Sequence, residues 1–253
     1  MILARLSRAV REQNWFAVVL EFFVVVAGVL LAFQISQWAE HRADAEREAL
    51  LLTRLHAEAE TSVRYFTTQV ERRQDEDELR DVLIQTLLAG DFENVDPRVM
   101  VRGIFSASNL QEPTPSRIVY DEIVSAGLTS RIGDEDMRIA LAEYWSEIDR
   151  LRTDNVARRE ELYAFPRAVA AQDEFIQIEY DPEHPLRRGY TIDPERAAQS
   201  DDLMEYIFFS NTRSRLVTFL WVDTLESAIA LCRETARLTE QICEPAMEAE
   251  AAE

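Results

Sequence analysis

The chain contains no lysine: its 27 basic residues are all arginine, set against 47 acidic ones. An arginine-only basic set reads as genome composition rather than as a functional sign. The formal net charge of −20 over 253 residues argues against nucleic-acid binding, because such a chain repels a phosphate backbone. Glycine and proline are scarce, at 6 and 8 residues. With abundant Ala, Leu, Glu and Arg this favours helix, and it leaves no glycine-rich loop to cradle a phosphate. There are 3 histidines, His41, His56 and His184. A catalytic metal site usually draws on two or more neighbouring histidines, whereas His41 and His56 lie about 22 Å apart on a straight helix. His41, Asp44 and Glu48, and His56 with Glu60, therefore read as solvated helix surface. The 2 cysteines, Cys232 and Cys243, fall in one helix-like stretch. On a continuous helix they would be about 16 Å apart, beyond the roughly 7 Å between Cα atoms that a disulfide tolerates. Two small buried apolar side chains are expected instead.

Nucleophile motifs are missing as well. There is no Gly-x-Ser-x-Gly, and without lysine there is no Ser-x-x-Lys. Asp121 and Glu122 are adjacent, so on a helix they point about 100° apart and do not converge on one substrate atom. They are expected to face water while Tyr120, Ile123, Val124 and Leu128 build a packed corner. No catalytic, cofactor-binding or metal-ligating residue is nominated.

What the chain does have is "LEFFVVVAGVLLAFQISQW" (20–38), part of a run from Trp15 to Phe33 that is apolar except for Glu21. Trp15 and Trp38 bracket the run about 35 Å apart, the spacing of aromatic anchors at two membrane interfaces. The run exceeds the ~7–15 residues of a signal-peptide core and lacks a small-x-small cleavage site, so a retained signal anchor is expected. Arg5, Arg8 and Arg11 precede it and give residues 1–38 a net +1, which leaves −21 for the rest. Arg42, Arg47 and Arg54 follow the run, but farther out and mixed with acids, so the tighter cluster and the free amine before it favour an N-terminus in the cytoplasm and an acidic domain outside it. At 100° per residue Glu21, Val25, Gly28 and Ala32 share a stripe. Gly28 and Ala32 form a small-xxx-small pair that lets a second helix approach, and Glu21 could bond across such a contact. In the other reading Glu21 merely reaches the interface.

The pattern predicts an all-α chain: a basic tail (1–14), a transmembrane helix (15–37), an acidic helical-bundle domain (38–243) and a disordered acidic tail (244–253). The membrane helix continues into a long one that ends at Gly90. Its stripe of Leu51, Leu55, Ala59, Ser62, Phe66 and Val70 follows coiled-coil-like spacings of three and four. "ERRQDEDELR" (71–80) reads as a bend or a solvated face, after which Leu79, Val82, Leu83, Thr86 and Leu87 resume the apolar pattern. A short helix is predicted over 97–107. Ser116 caps a second that ends at Gly127, and Asp134 caps a long third. The third carries Met137, Leu141, Tyr144, Trp145, Ile148 and Leu151 on one face and runs to about Phe165, with Pro166 opening a short successor. A long loop (180–194) and two helical stretches from Ser200 to about Cys243 complete the chain. No strand alternation of useful length is seen.

The segment "LEFFVVVAGVLLAFQISQWAEHR" resembles the entry of an uncharacterised family of bacterial single-pass membrane proteins. Its pattern is a glutamate, an aliphatic run with a glycine, Leu-Gln and a tryptophan before a charged helix. "PSRIVYDEIVSAGLTSRIGDEDMRIALAEYW" resembles that family's second recurrent segment. Phe33 and Tyr144-Trp145 stand where Leu and Tyr-Tyr are usual. The likeness covers about residues 15–165 and implies the architecture, with no activity attached.

The function expected is a membrane-anchored interaction module, a scaffold or sensor-like subunit of an envelope complex in the inner membrane. Its partners would be the bilayer and either another membrane helix or a second copy. The N-terminal tail is too short for an output domain, so signalling would pass through a partner. The alternative is a membrane-tethered enzyme with a site built from loops 109–116 and 180–194.

Overall fold

A computed structural model describes residues 15–107, 109, 111–163, 175–180 and 188–246. The chain divides into two units, Met1–Leu50 and Leu51–Glu253. Helix α1 (Trp15–Ala89) is a single helix of 75 residues. In the first unit its large apolar side chains from Val19 to Trp38 are exposed, apart from the half-buried Val26. Its most apolar stretch has a mean hydropathy of 2.3 with none of it buried, and by length and composition it could cross a membrane.

Among its described residues the second unit is all-α apart from one antiparallel pair of strands. Its elements are the rest of α1, α2 (Pro97–Ala107), α3 (Ile118–Ser125), α4 (Glu135–Tyr163), β1 (Ile176–Tyr180), β2 (Arg188–Ile192), α5 (Pro194–Ala198) and α6 (Asp201–Thr239). The apolar stripes of α1 and α4 pack as their periodicity predicts. Leu55, Ala59, Ser62, Phe66 and Val70 are buried, as are Met137, Leu141, Tyr144, Trp145, Ile148 and Leu151. They meet Val217, Trp221, Ala228 and Leu231 of α6 in one large core. Phe66 lies edge-on to Tyr144 at 6.3 Å and tilted against Trp221 at 5.6 Å. Tyr120 stacks on Trp145 at 4.3 Å. A second core gathers Leu83 and Leu87 of α1, Met100 and Ile104 of α2, Phe175, and Leu203, Tyr206 and Ile207 of α6. Gly103 sits where a side chain would press on α1: an added Cβ would lie 3.0 Å from both the Leu79 carbonyl and Leu83 Cβ.

Several expected boundaries hold. Gly90 and Gly127 end their helices at φ +68° each, a region open to glycine without a Cβ clash. Asp134 Oδ1 accepts from the Met137 amide at 3.1 Å and so caps α4. Other expectations change. Residues 71–80 are neither a bend nor a fully solvated face: α1 runs straight through them and buries Arg73, Asp77 and Arg80. Ser116 does not cap α3. Its hydroxyl instead donates to Glu58 Oε2 at 3.0 Å. The same Glu58 carboxylate accepts the Val119 and Tyr120 amides at 2.8 and 3.2 Å, so a side chain of α1 caps α3 from outside. Val124 is exposed rather than packed, because Ile123 alone takes the inward position of that turn. One helix, α6, replaces the two stretches expected after Ser200, whose hydroxyl accepts the Leu203 amide. Pro166 lies outside the described residues.

Two corrections carry more weight. Part of the presumed 180–194 loop is strand. β1 and β2 pair antiparallel, Ile176 opposite Ile192 and Tyr180 opposite Arg188. Each strand is five residues long, too short for alternation to stand out, and its stability comes from packing on the second core, with Tyr190 edge-on to Phe105 at 5.2 Å. The second correction is a disulfide between Cys232 and Cys243, their Cα atoms 5.8 Å apart. Only a continuous helix through both would hold them too far apart. In fact α6 stops at Thr239, Glu240 turns left-handed at φ 55°, and the chain doubles back. Cys243 and Ala246 join the large core, so packing extends into the stretch read as a tail.

Candidate functional site

The two cores of the second unit are separated along α1 by a polar layer. Arg73, Asp77 and Arg80 supply it from α1, Ser106 from α2, Asn155 and Arg158 from α4, and Ser210, Ser214 and Thr218 from α6, all buried. Within each helix the members follow at intervals of three or four, continuing the stripe that elsewhere carries apolar side chains.

Arg80 is fully enclosed and fully bonded. Its Nη1 donates to the Ser106 carbonyl and hydroxyl at 3.1 and 3.0 Å, and its Nη2 to Ser214 Oγ at 2.6 Å and to Asp77. Its Nε reaches Asn211 Oδ1 at 3.4 Å. Asp77 is held from its other side by the Thr218 hydroxyl at 2.9 Å. One guanidinium thus ties α1, α2 and α6 together. Burial lowers the Arg80 pKa from its ordinary value, opposed chiefly by Asp77.

Arg73 spreads its guanidinium over the Trp221 ring at 4.6 Å. Burial, reinforced by the like charge of Arg158, pulls its pKa down to about 10. Arg158 is 4% exposed, yet none of its three nitrogens has a hydrogen-bond partner among the described residues. Its pKa is lowered first by burial and next by Arg80. A buried ion is ordinarily paired and bonded. Here three buried arginines share one buried carboxylate, Asp77. Glu76, which also acts on Arg73 and Arg80, is engaged by Arg72 and Asn109. The layer is therefore electropositive inside an acidic chain. Beside Arg158 lies a cavity of about 70 Å³ walled by Leu216 and Val217 and by the charged residues Asp154, Glu161 and Arg213. Arg213 is bonded to Glu161. Chemically, this arrangement offers an unused planar cation to an anion.

The candidates read from sequence lie elsewhere. Glu21, Val25, Gly28 and Ala32 are exposed on α1, and a Cβ added to Gly28 would meet nothing within 4 Å. His41 is exposed, but His56 is buried rather than solvated, its Nδ1 3.2 Å from the Thr235 hydroxyl. His184 is outside the described residues, among which no three of His, Cys, Asp and Glu cluster to hold a metal ion. Asp121 pairs with Arg117, and Glu122 with Arg54. Sequence reading missed Arg73, Arg80 and Arg158, although their register was available. The stripe Phe66, Val70, Arg73, Asp77, Arg80, Leu83, Leu87 keeps its period through the charges.

No family model, curated protein or solved structure matches this chain.

Proposed function

We propose that the chain is a single-pass inner-membrane protein, N-terminus in the cytoplasm, in the uncharacterised bacterial family it resembles. Its helical domain is an extracytoplasmic interaction module, a scaffold or sensor-like subunit of an envelope complex. The observation that carries this reading is the apolar stretch of α1, exposed all round, beside a second unit that closes its own cores. A helix apolar on every side calls for lipid or another helix as cover. The Cys232–Cys243 disulfide supports the orientation, since disulfides persist in oxidising compartments and are rare in the cytosol. Binding is favoured over catalysis because the described part of loop 109–116 is taken up by tethers. Asn109 bonds Glu76, the Gln111 carbonyl accepts from Asn155, and the Thr114 amide donates to the Tyr65 hydroxyl.

Three measurements test the reading. The protein should stay in membranes washed with alkaline carbonate, and a reporter active only in the cytoplasm, fused after Glu253, should be silent. Release by carbonate or an active reporter overturns anchoring or orientation. Single cysteines scanned from 21 to 35, in a background lacking Cys232 and Cys243, should crosslink to a partner helix with a period near 3.6, peaking at 21, 25, 28 and 32. Gly28→Leu should abolish that pattern. Flat crosslinking and an inert Gly28→Leu reduce the segment to a simple anchor. Purification from native membranes as a lone monomer overturns the interaction module.

A further inference from the structure

We propose that the cavity beside Arg158 is a binding site for a small monocarboxylate, an organic anion with a short apolar tail, held through the Arg158 guanidinium. Arg158 is 4% exposed, and its Nε, Nη1 and Nη2 have no acceptor among the described residues. Asp154, four residues earlier on the same helix, also lines the cavity and makes no hydrogen bond with Arg158. The three nitrogens are sealed as they stand, so a ligand meets them by a small swing of the side chain into the cavity it lines, where the planar fork of N–H donors matches a carboxylate in bidentate fashion.

The surroundings narrow the ligand further. Against the three arginines of the layer stand Asp77, occupied by Arg80 and Thr218, and Asp154, which acts on Arg158 through space without a bond, while Glu161 is taken by Arg213. One added negative charge is therefore welcome. A second would face Asp154 and Glu161 across the same small space, which disfavours a dianion such as phosphate. Leu216 and Val217 provide an apolar wall for a tail. The cavity volume of about 70 Å³ limits that tail to a few carbons. For scale, a cavity of about 150 Å³ accepts benzene. Acetate and propionate are the natural probes. The site does not depend on membrane anchoring or on the orientation of the chain.

The full chain, purified in detergent micelles, is titrated calorimetrically with acetate, propionate and inorganic phosphate at constant ionic strength. The expected result is saturable one-to-one binding of propionate, at least as tight as acetate and tighter than phosphate. Arg158→Met should weaken it about ten- to a hundredfold, the worth of a hydrogen-bonded charge. Ala157→Phe, at an exposed position that lines the same cavity, should block it without touching the buried layer. That variant keeps the test open if Arg158→Met does not fold. No saturable binding by the wild-type chain means that water alone fills the cavity, and the proposal fails. It fails equally if propionate binds Arg158→Met or Ala157→Phe unchanged, or if phosphate binds more tightly than propionate.

Discussion

Removing the disulfide gives a prediction whose size can be worked from the fold. The bridge joins residues 11 apart, Cys232 in the last turns of α6 and Cys243 beyond the helix. In the chain-entropy account a closed loop of that length removes about 9 cal/mol/K from the unfolded ensemble, or about 3 kcal/mol at 25 °C. Both sulfurs are buried in the large core, so replacing them by alanine also leaves a small cavity that adds to the loss. Cys232→Ala with Cys243→Ala should therefore lower unfolding stability by about 3 kcal/mol or more. Part of the loss should be recoverable at Glu240, which is left-handed at φ 55°. In the disulfide-free background Glu240→Gly should return about 1 kcal/mol, the cost of that conformation for a residue with a Cβ. The assay is urea unfolding of the full chain in micelles, followed by far-ultraviolet circular dichroism with and without reductant. A loss below about 1 kcal/mol would mean that the loop is ordered without the bond and that the entropic reasoning is wrong. Two free thiols, found by mass spectrometry in protein taken from native membranes, would remove the bond itself and the compartment argument with it.

Trp145→Ala should cost about 3–5 kcal/mol in the same assay, because the ring is buried and stacked on Tyr120, and a loss below about 1 kcal/mol would place that face in solvent. Glu58→Ala strips α3 of its external cap and should cost about 3 kcal/mol, with Glu58→Gln retaining part of it, and amide exchange at Val119 and Tyr120 should accelerate first. The Asp134 carboxyl is held below its ordinary range by its hydrogen bond from Arg237 and next by the Met137 amide. Its folded value lies below the unfolded one, so its contribution is present above the carboxylate range and is lost as pH falls below about 4. Asp134→Asn keeps the cap without the titration and should flatten the acid limb of the stability profile, read from urea midpoints at acid and neutral pH. Arg80→Met strands Asp77 and should cost about 3–5 kcal/mol by the same unfolding measurement, and a neutral result would show the pair to be dispensable.

The parts of the fold that sequence revealed are those set by one helix at a time. The stripes of α1 and α4 are read from spacing, and Gly90, Gly127 and Asp134 mark ends through conformation or capping that each residue supplies alone. The parts that escaped depend on distant residues. Glu58 and Val119 are 61 positions apart. Nothing local to "PSRIVYDE" says that its cap comes from another helix. The strands 176–180 and 188–192 pair where α2 and the second core receive them, and five-residue strands carry too little pattern to show on their own. The disulfide escaped because helix was extrapolated past Thr239, where no glycine warned of the left-handed stop.

The buried charges escaped for a subtler reason, and they separate two uses of the same residue type. Charge density in 71–80 looked like a solvated face, yet period places Arg73, Asp77 and Arg80 on the inward stripe, and period proved the better guide. The two rules conflict only if a buried charge has nothing to meet it. Arg80 meets Asp77, Ser106, Asn211 and Ser214, drawn from three helices, so a shift of any one by a turn would strand the rest. That is how a buried polar group fixes register where apolar stripes alone would allow slippage. Arg158 lies one helix away, likewise buried, and among the described residues no such set receives it. If register were the whole purpose of the layer, an apolar side chain would serve better at position 158, because an unpaired buried cation costs stability and fixes nothing. The contrast between a guanidinium bonded on every nitrogen and one bonded on none is what turns a structural layer into a candidate site.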